Sequence, residues 1–279
     1  MNSIHQLLPS YLCLAKKMVL PSSSCDIEPF SIEMTDQKID VRHHQKYTHL
    51  LSSSRQATHG CMPSYQFVIS QALTLAVLNH SHFTLSPLGL VHKSWRWEKY
   101  GSFDDTETFT VRCHVKELPR NRRFRVFSQQ VEFWQYGREV SRFETIFFKV
   151  LEKIRTSGSV LPRITQQKSL FWNCSDQELW KYVHLSGDWN PIHLFGVFSR
   201  MLGFSSRIIH GMFVVGKYLQ SMNRETFDRL NHIECEFQKP CYVNAPIEIF
   251  HSFSNDICIQ VNIFQEGRSK IDLSLGLKK

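Results

Sequence analysis

The 279-residue sequence lacks the patterns that commonly identify a cysteine-based site or a membrane protein. None of its eight cysteines lies in a Cys-x-x-Cys pair, the spacing typical of zinc sites and redox-active thiols. No secretory signal is evident, because the apolar stretch 7–20 is interrupted by Pro9, Lys16 and Lys17. The longest apolar run, 67–78, is shorter than the roughly 20 residues of a membrane-spanning helix. The sequence therefore predicts a reduced, cytoplasmic protein with free thiols and no membrane span.

The charge balance is basic, with a formal net charge of +8, but the cationic residues are spread along the chain. A basic balance suits an anionic partner, such as nucleic acid, an acidic membrane surface or a phosphorylated small molecule. The densest cluster is a run of arginines at 120–125. It lacks the zinc-finger and RNA-recognition signatures, so we interpret it as a solvated hairpin and expect no nucleic-acid partner. Nucleic-acid binding is the weakest of the alternatives.

The composition is that of a globular protein, with 42% hydrophobic and 13% aromatic residues. We interpret the Ser-rich residues 1–62 as a partly ordered lead-in. Residues 63–150 begin with an apolar helix at 66–80 and continue with four strand-like runs. Residues 151–168, broken by Gly, Ser and Pro, are the predicted linker, and 169–279 form the second half.

The second half repeats the order of the first. A strand at 169–174 precedes a helix that opens with Ser175 and Glu178, the spacing of a capping box. A long apolar helix follows at 207–223, and four further strands complete the chain. The sequence therefore predicts an α+β fold in which two long central helices are each wrapped by an antiparallel sheet.

The most informative stretch is YVHLSGDWNPIH, residues 182–193. Asn190 is a good N-cap and Pro191 suits the first helical position, so the chain turns sharply before His193. This turn brings the side chains of Asp188 and His193 close together. Because the positive end of the helix dipole disfavours imidazolium, we expect a neutral His193 beside an ionised Asp188. Such a pair, sharing one water molecule, can act as general acid and base.

A second element is the glycine of IIHGM, residues 208–212, at the predicted start of the long helix. A helix N-terminus offers unpaired N–H groups, and Gly211 lets a ligand approach the backbone closely. The Gly211 N–H can therefore polarise a carbonyl oxygen and stabilise an enolate. Acid, base and oxyanion donor together suit proton removal next to a carbonyl, with loss or addition of water. Taken singly, each of these residues is more often an ordinary helix start or a packed histidine.

The combined motif resembles that of the MaoC-like, or (R)-specific enoyl-thioester hydratase, family of hot-dog proteins. The resemblance is carried by Tyr182, Leu185-Ser186-Gly187-Asp188, Asn190-Pro191-Ile192-His193, Ser199, Gly203-Phe204, Ile209-His210-Gly211-Met212 and residues 237–249. A weaker pattern at 63–95 resembles the degenerate N-terminal half of members with two hot-dog units. The resemblance implies a double hot-dog fold and reversible dehydration of (R)-3-hydroxyacyl thioesters to trans-2-enoyl thioesters.

The family's residue roles transfer by motif position. The resemblance implies that Asp188 and His193 hold the water, that the Gly211 amide meets the thioester carbonyl, and that Asn190 and Pro191 support the loop. It implies no metal and no cofactor beyond the coenzyme A or acyl-carrier pantetheine of the substrate. The first half lacks the motif, which implies a structural role and room for the acyl chain.

Substrate details stay open at this point. Arg207, Lys217 and Lys239 lie near the motif and are candidates for contacts with substrate phosphates, although scattered surface charge explains each of them equally well. The turn CYVNAP at 241–246 and the bulky Trp189 depart from the family pattern. Two rival functions remain, a hot-dog acyl-CoA thioesterase and a non-catalytic acyl-thioester-binding protein. A homodimer is left open.

Overall fold

The computed structural model describes residues 25–52, 63–87, 89–119, 124–150, 167–255 and 257–278. The elements up to residue 150 are β1 (Phe30–Gln37), α1 (Val41–Leu51), α2 (Pro63–Ile69), α3 (Gln71–Asn79), β2 (Leu90–Lys99), β3 (Phe109–Leu118), β4 (Phe124–Gln135) and β5 (Arg138–Val150). Those that follow are β6 (Gln167–Asn173), α4 (Asp176–Ser186), α5 (Pro191–Leu194), α6 (Gly196–Met201), α7 (Gly211–Ser221), α8 (Arg224–Asp228), β7 (Leu230–Phe237), β8 (Pro246–Asn255), β9 (Cys258–Gln265) and β10 (Arg268–Leu277).

The chain forms two compact units with the same strand topology. Of the described residues, the first unit comprises those within 1–39 and 69–157, and the second comprises those within 40–68 and 158–279. The antiparallel strands of the first unit follow the order β1-β3-β4-β5-β2, and those of the second follow β6-β8-β9-β10-β7. The two orders correspond strand by strand. The predicted α+β class is therefore confirmed, as is its repeated architecture.

Helix α7 occupies the core of the second unit. Every residue from Met212 to Gln220 is buried, as expected for a helix that is apolar nearly all round. The ring of Trp172 in β6 packs edge-on against Phe213 at 5.0 Å between centroids. Alternate strand residues supply the facing apolar surface: Ile233, Cys235, Ile247, Ile249, Ile259, Val261, Ile263, Ile271, Leu273 and Leu275.

The first unit is built in the same way. In β3 burial alternates strictly, with Phe109, Val111, Cys113 and Val115 buried. This period of two is typical of a strand with one face toward the core. Strands β4 and β5 are joined by a tight turn, in which Gly137 adopts a φ of 72°. A two-residue turn with positive φ matches the twist of antiparallel strands.

The predicted helix at 66–80 is two helices. Helix α2 ends at Ile69 and α3 begins at Gln71, with Ser70 between them at φ −82° and ψ −3°. These angles are those of a turn, a conformation that serine favours over a helix interior. The apolar character of the run was predicted correctly, but the break at Ser70 was not predicted.

The predicted lead-in at 1–62 contains two regular elements. Strand β1 alternates apolar and polar residues over Phe30–Gln37, a short pattern that the sequence analysis missed. Helix α1 begins at Asp40, whose side chain accepts a hydrogen bond from the N–H of His43 at 3.0 Å. This N-cap was also missed. The domain boundaries therefore differ from the predicted ones, because residues 40–68 belong to the second unit.

Helix α1 packs against other helices of the second unit. It contacts both α4 and α7, and Leu51 lies so close to Gly216 of α7 that a Cβ there would be 3.1 Å from the Leu51 side chain. The absence of a side chain at Gly216 lets the two helices approach closely. The predicted linker 151–168 lies outside the described residues, except for its last two positions, which begin β6.

The structure describes six of the eight cysteines and one arginine side chain of the cluster at 120–125. The six described cysteines are free thiols, as predicted, while Cys13 and Cys61 lie outside the described residues. In the arginine cluster only Arg125 has a described side chain, and it is buried against Glu117 at 2.6 Å. None of the described helices has the length and hydropathy needed to cross a bilayer.

Candidate active site

The candidate loop, residues 187–190, begins at a well-defined helix end. Helix α4 opens with the predicted capping box, in which Ser175 Oγ accepts the Glu178 N–H and the Glu178 carboxylate accepts the Ser175 N–H. It closes at Gly187, which adopts φ 71° and donates its N–H to the carbonyl of Val183 at 2.9 Å. A left-handed residue at this place is a common helix ending and favours glycine. The chain is thereby redirected immediately before Asp188.

Short-range hydrogen bonds fix the conformation of the loop. The N–H of Asp188 donates to Ser186 Oγ at 3.2 Å, and its carboxylate Oδ1 accepts from the N–H of Asn190 at 3.2 Å. Asn190 Oδ1 in turn accepts from the N–H of Ile192 at 3.3 Å, which makes it the N-cap of α5. Pro191 occupies the first helical position. The predicted loop-supporting geometry of Asn190 and Pro191 is therefore present.

His193 lies at the third position of α5 and is buried, with 7% of its surface exposed. Its Nδ1 is 2.8 Å from the carbonyl oxygen of Ile208. Because a carbonyl only accepts, Nδ1 carries the proton and Nε2 is left as an acceptor. Burial lowers the pKa of His193, and the nearby Asp188 carboxylate only partly opposes this. The expected neutral imidazole is thus supported, with burial rather than the helix dipole as the main cause.

The acceptor for His193 is held by the segment 241–246, the CYVNAP turn that departs from the family pattern. Ile208 bridges to Tyr242, and the N–H of the following residue, Ile209, donates to Cys241 at 2.7 Å. The side-chain amide of Gln265 fixes Tyr242 through both its N–H and its carbonyl. The turn therefore determines where the His193 imidazole is anchored.

His210 also lies at the site, although the motif in which it stands implied no role for it. Its ring stacks on His193, with centroids 3.5 Å apart and an interplanar angle of 25°. Its Nε2 donates to the backbone carbonyl of Asp188 at 3.2 Å and lies 3.6 Å from the Asp188 carboxylate. Burial lowers the pKa of His210 to about 3, so the ring is neutral at neutral pH. The signal that identifies it is its position directly before Gly211.

Asp188, His193 and His210 converge on one point. One potential ligand atom from each lies within 4.8 Å of the other two, which makes them a candidate set for a metal ion. The fit to a metal is poor at His210, because its Nε2 donates a proton to the carbonyl of Asp188 and therefore has no free lone pair for an ion. The Asp188 side chain is 37% exposed, so its carboxylate can be reached from solvent.

Gly211 is the first residue of α7, as its predicted oxyanion role requires. N–H groups in a first helical turn have no acceptor within the helix, and His210 provides no side-chain cap. A Cβ at Gly211 would lie 2.7 Å from Cδ1 of Phe237, a distance that real side chains do not tolerate. The glycine is therefore required by packing as well as suited to a close ligand.

The three candidate phosphate contacts differ in their surroundings. Arg207 forms an ion pair with Asp176. Lys217 is buried, donates to Glu178 at 3.1 Å and lies over the ring of Trp172. This burial leaves the Lys217 ammonium without access to a phosphate outside the protein, which corrects that expectation. Lys239 is half-buried, and its backbone N–H donates to the carbonyl of Lys270 in β10.

The buried neutral His210 predicts a pH-dependent stability. Its folded-state pKa is about 3 against an ordinary value of 6.5, so between these values the unfolded chain binds the additional proton. The free energy of unfolding should therefore fall as the pH decreases from about 6.5 to about 3. Urea unfolding at successive pH values measures this slope, which we expect to be smaller in His210→Phe. Equal slopes in the two proteins would argue against a buried neutral His210.

Comparison with known proteins is consistent with this geometry. Residues 161–265 match the family model described as MaoC like domain. The chain is 23% identical over 194 residues to 3-hydroxyacyl-thioester dehydratase X of Mycobacterium tuberculosis, an alignment that covers 67% of this chain and 68% of that protein.

Solved structures extend the likeness to both units. The crystal structure of HtdX from Mycobacterium tuberculosis superposes with a TM-score of 0.75 at 16% identity, covering 89% of this chain and all of that one. A further Mycobacterium tuberculosis protein, described as having a double hotdog fold, gives a TM-score of 0.59 at 10% identity over 90% of this chain and 96% of its own. Residues 161–265 therefore match a MaoC-like domain, and the fold of the chain is a double hot-dog.

Proposed function

We propose that the protein is a hydro-lyase of fatty acid metabolism that hydrates trans-2-enoyl thioesters reversibly to (R)-3-hydroxyacyl thioesters. The observation that carries the proposal is the placement of Asp188 and the neutral His193 around one point, beside the N-terminus of α7. The MaoC like domain match and the similarity to a 3-hydroxyacyl-thioester dehydratase support the same reaction class.

The reaction follows from the protonation states at the site. Asp188 and the unprotonated Nε2 of His193 hold a water molecule between them. His193 takes a proton from the water as its oxygen adds to C3 of the enoyl thioester. A proton from the same pair then adds to C2, so that one water is consumed and the acid/base pair is restored. Dehydration runs through the same steps in reverse.

Negative charge develops on the thioester oxygen when water adds to C3. The N–H of Gly211, at the positive end of α7, is placed to donate to that oxygen. Donors fixed in advance stabilise such charge without reorganising during the reaction. The substrates in this proposal are acyl-CoA or acyl-carrier-protein thioesters, with no further cofactor or metal, in the cytoplasm.

The direct test uses the purified full chain with crotonyl-CoA. We expect loss of the conjugated enoyl absorbance and formation of 3-hydroxybutyryl-CoA, without release of free thiol. Thiol release without a hydroxylated product would instead establish the thioesterase. Tight binding of acyl-CoA without turnover would establish the acyl-thioester-binding protein. Repeating the assay with crotonyl-acyl-carrier protein separates the two carriers of the substrate.

A further inference from the structure

A histidine far from the motif in sequence contacts the end of α4. His43, in the first turn of α1, lies with its Nε2 2.9 Å from the carbonyl oxygen of Leu185. Its Nδ1 lies 2.9 Å from the hydroxyl of Tyr65 in α2. Because the Leu185 carbonyl only accepts, Nε2 carries the proton and Nδ1 accepts from the Tyr65 hydroxyl. Both ring nitrogens are therefore used, and together they fix the orientation of the ring.

The carbonyl that His43 binds has no acceptor role inside α4. The last four carbonyls of a helix lack intrahelical donors. In α4 the N–H of Gly187 donates to the carbonyl of Val183, and not to that of Leu185. Leu185 lies three residues before Asp188. Between them, Ser186 Oγ receives the N–H of Asp188 at 3.2 Å. The His43 bond thus restrains the helical turn from which the catalytic loop departs.

A row of packed rings leads from the same two helices to the catalytic pair. The ring centroid of Tyr65 lies 5.2 Å from that of Tyr47, and the Tyr47 centroid lies 6.3 Å from that of Tyr182 in α4. The ring of Tyr182 lies 5.0 Å from His210, which stacks on His193. Tyr65, Tyr47 and Tyr182 are all fully buried. Helices α1 and α2 are therefore packed continuously with the site through residues of the second unit alone.

We infer that His43, oriented by Tyr65, is a positioning residue for Asp188. It acts through the Leu185 carbonyl and places the Asp188 carboxylate relative to His193. The inference rests on the proposed function, since positioning matters only where Asp188 takes part in turnover. It also implies that α1 and Tyr65 are an integral part of the catalytic unit, which residues 169–279 alone do not complete.

Two substitutions at His43 separate hydrogen bonding from packing. His43→Phe keeps the ring volume and removes both nitrogen functions, whereas His43→Gln keeps an N–H donor of similar reach toward Leu185. For His43→Phe we expect kcat for crotonyl-CoA to fall by about ten- to a hundredfold at unchanged KM, since a displacement of about 1 Å can cost about 10²-fold. His43→Gln should recover most of the loss, and Tyr65→Phe should have a smaller effect in the same direction.

The matched control is His49→Phe, which places the same residue at an exposed position of the same helix. We expect wild-type kcat and KM from it. The second readout is amide hydrogen exchange of residues 185–190, measured in the full chain at a temperature where all variants are folded. His43→Phe should accelerate exchange in this segment, while His43→Gln and His49→Phe should not. A purely structural role would lower the unfolding temperature without the selective change in kcat.

The outcomes separate the inference from the proposed function. Wild-type kcat and wild-type exchange in His43→Phe would overturn the positioning role, as would equal losses in His43→Phe and His43→Gln. A wild-type protein that does not hydrate any enoyl thioester would refute the proposed function instead. In that case the exchange of residues 185–190 still decides whether His43 holds the loop.

Discussion

Asp188→Asn should lower kcat for crotonyl-CoA hydration by about two to four orders of magnitude, the usual cost of losing a general acid or base. The substitution keeps the size of the side chain and the acceptor oxygen for the Asn190 N–H. It removes the negative charge that, in the proposed mechanism, holds the water molecule beside His193. Steady-state kinetics with the purified protein measure the effect. The loss should appear in kcat more than in KM, because the lost group acts in the transition state.

The matched control for this change is Asp228→Asn in α8. The Asp228 carboxylate is 58% exposed and pairs with Arg224 one helical turn away. An exposed pair of this kind contributes little to stability, so we expect wild-type kinetics. A loss in Asp228→Asn equal to that in Asp188→Asn would show that the assay reports general charge or folding and not the chemistry of the loop.

Gly211→Ala is the second change with a large expected effect. The added Cβ collides with the ring of Phe237, so either the ring or the start of α7 must move. Overpacking of this kind costs about 1–3 kcal/mol of unfolding free energy. In the proposed mechanism, a displaced Gly211 N–H can no longer donate to the thioester oxygen. We therefore expect kcat to fall by about 10²–10³-fold. Denaturant unfolding and steady-state kinetics measure the two effects separately.

The Phe237 ring provides the control for the glycine. In a Phe237→Ala background the ring atoms nearest to the added methyl group at Gly211 are gone, so its effect on unfolding free energy should shrink. Recovery of kcat in the double variant would show that the position of the N–H, and not the methyl group itself, controls turnover. If Gly211→Ala costs the same in both backgrounds, the collision with Phe237 is not the cause.

The sequence was informative where one short segment determines its own structure. The Ser175 capping box and the Asn190 N-cap with Pro191 each depend on a few adjacent residues, and both are present in the structure. Local chemistry is sufficient for such features, because hydrogen bonds between near neighbours decide them.

The sequence was uninformative where distant segments meet. Nothing in the pattern of 30–51 pointed to β1 as the counterpart of β6, or to α1 as a neighbour of α7. The contacts of His43 and Leu185 join positions 142 residues apart. The stacking of His210 on His193 also depends on how 207–211 crosses α5. Such pairings are set by tertiary packing, which periodicity and capping do not encode.

Charge was the least reliable guide of all. Lys217 has the residue type of a phosphate contact, yet its ammonium is buried against Glu178 and the ring of Trp172. A long side chain can follow an apolar helix into the interior and meet its partner there. Residue type alone does not distinguish such a lysine from one in solvent. Burial has to be observed before a cation is assigned to a substrate.

The central claim is that Asp188 and His193 act on one water as a unit, and a double-mutant cycle tests it most directly. The measurement compares kcat for Asp188→Asn, His193→Gln and the double variant with that of the wild type. Groups that act together give a double variant about as slow as the slower single variant. We predict this result for crotonyl-CoA hydration. Losses that multiply in the double variant would contradict the account, because they would show that the two side chains serve independent steps.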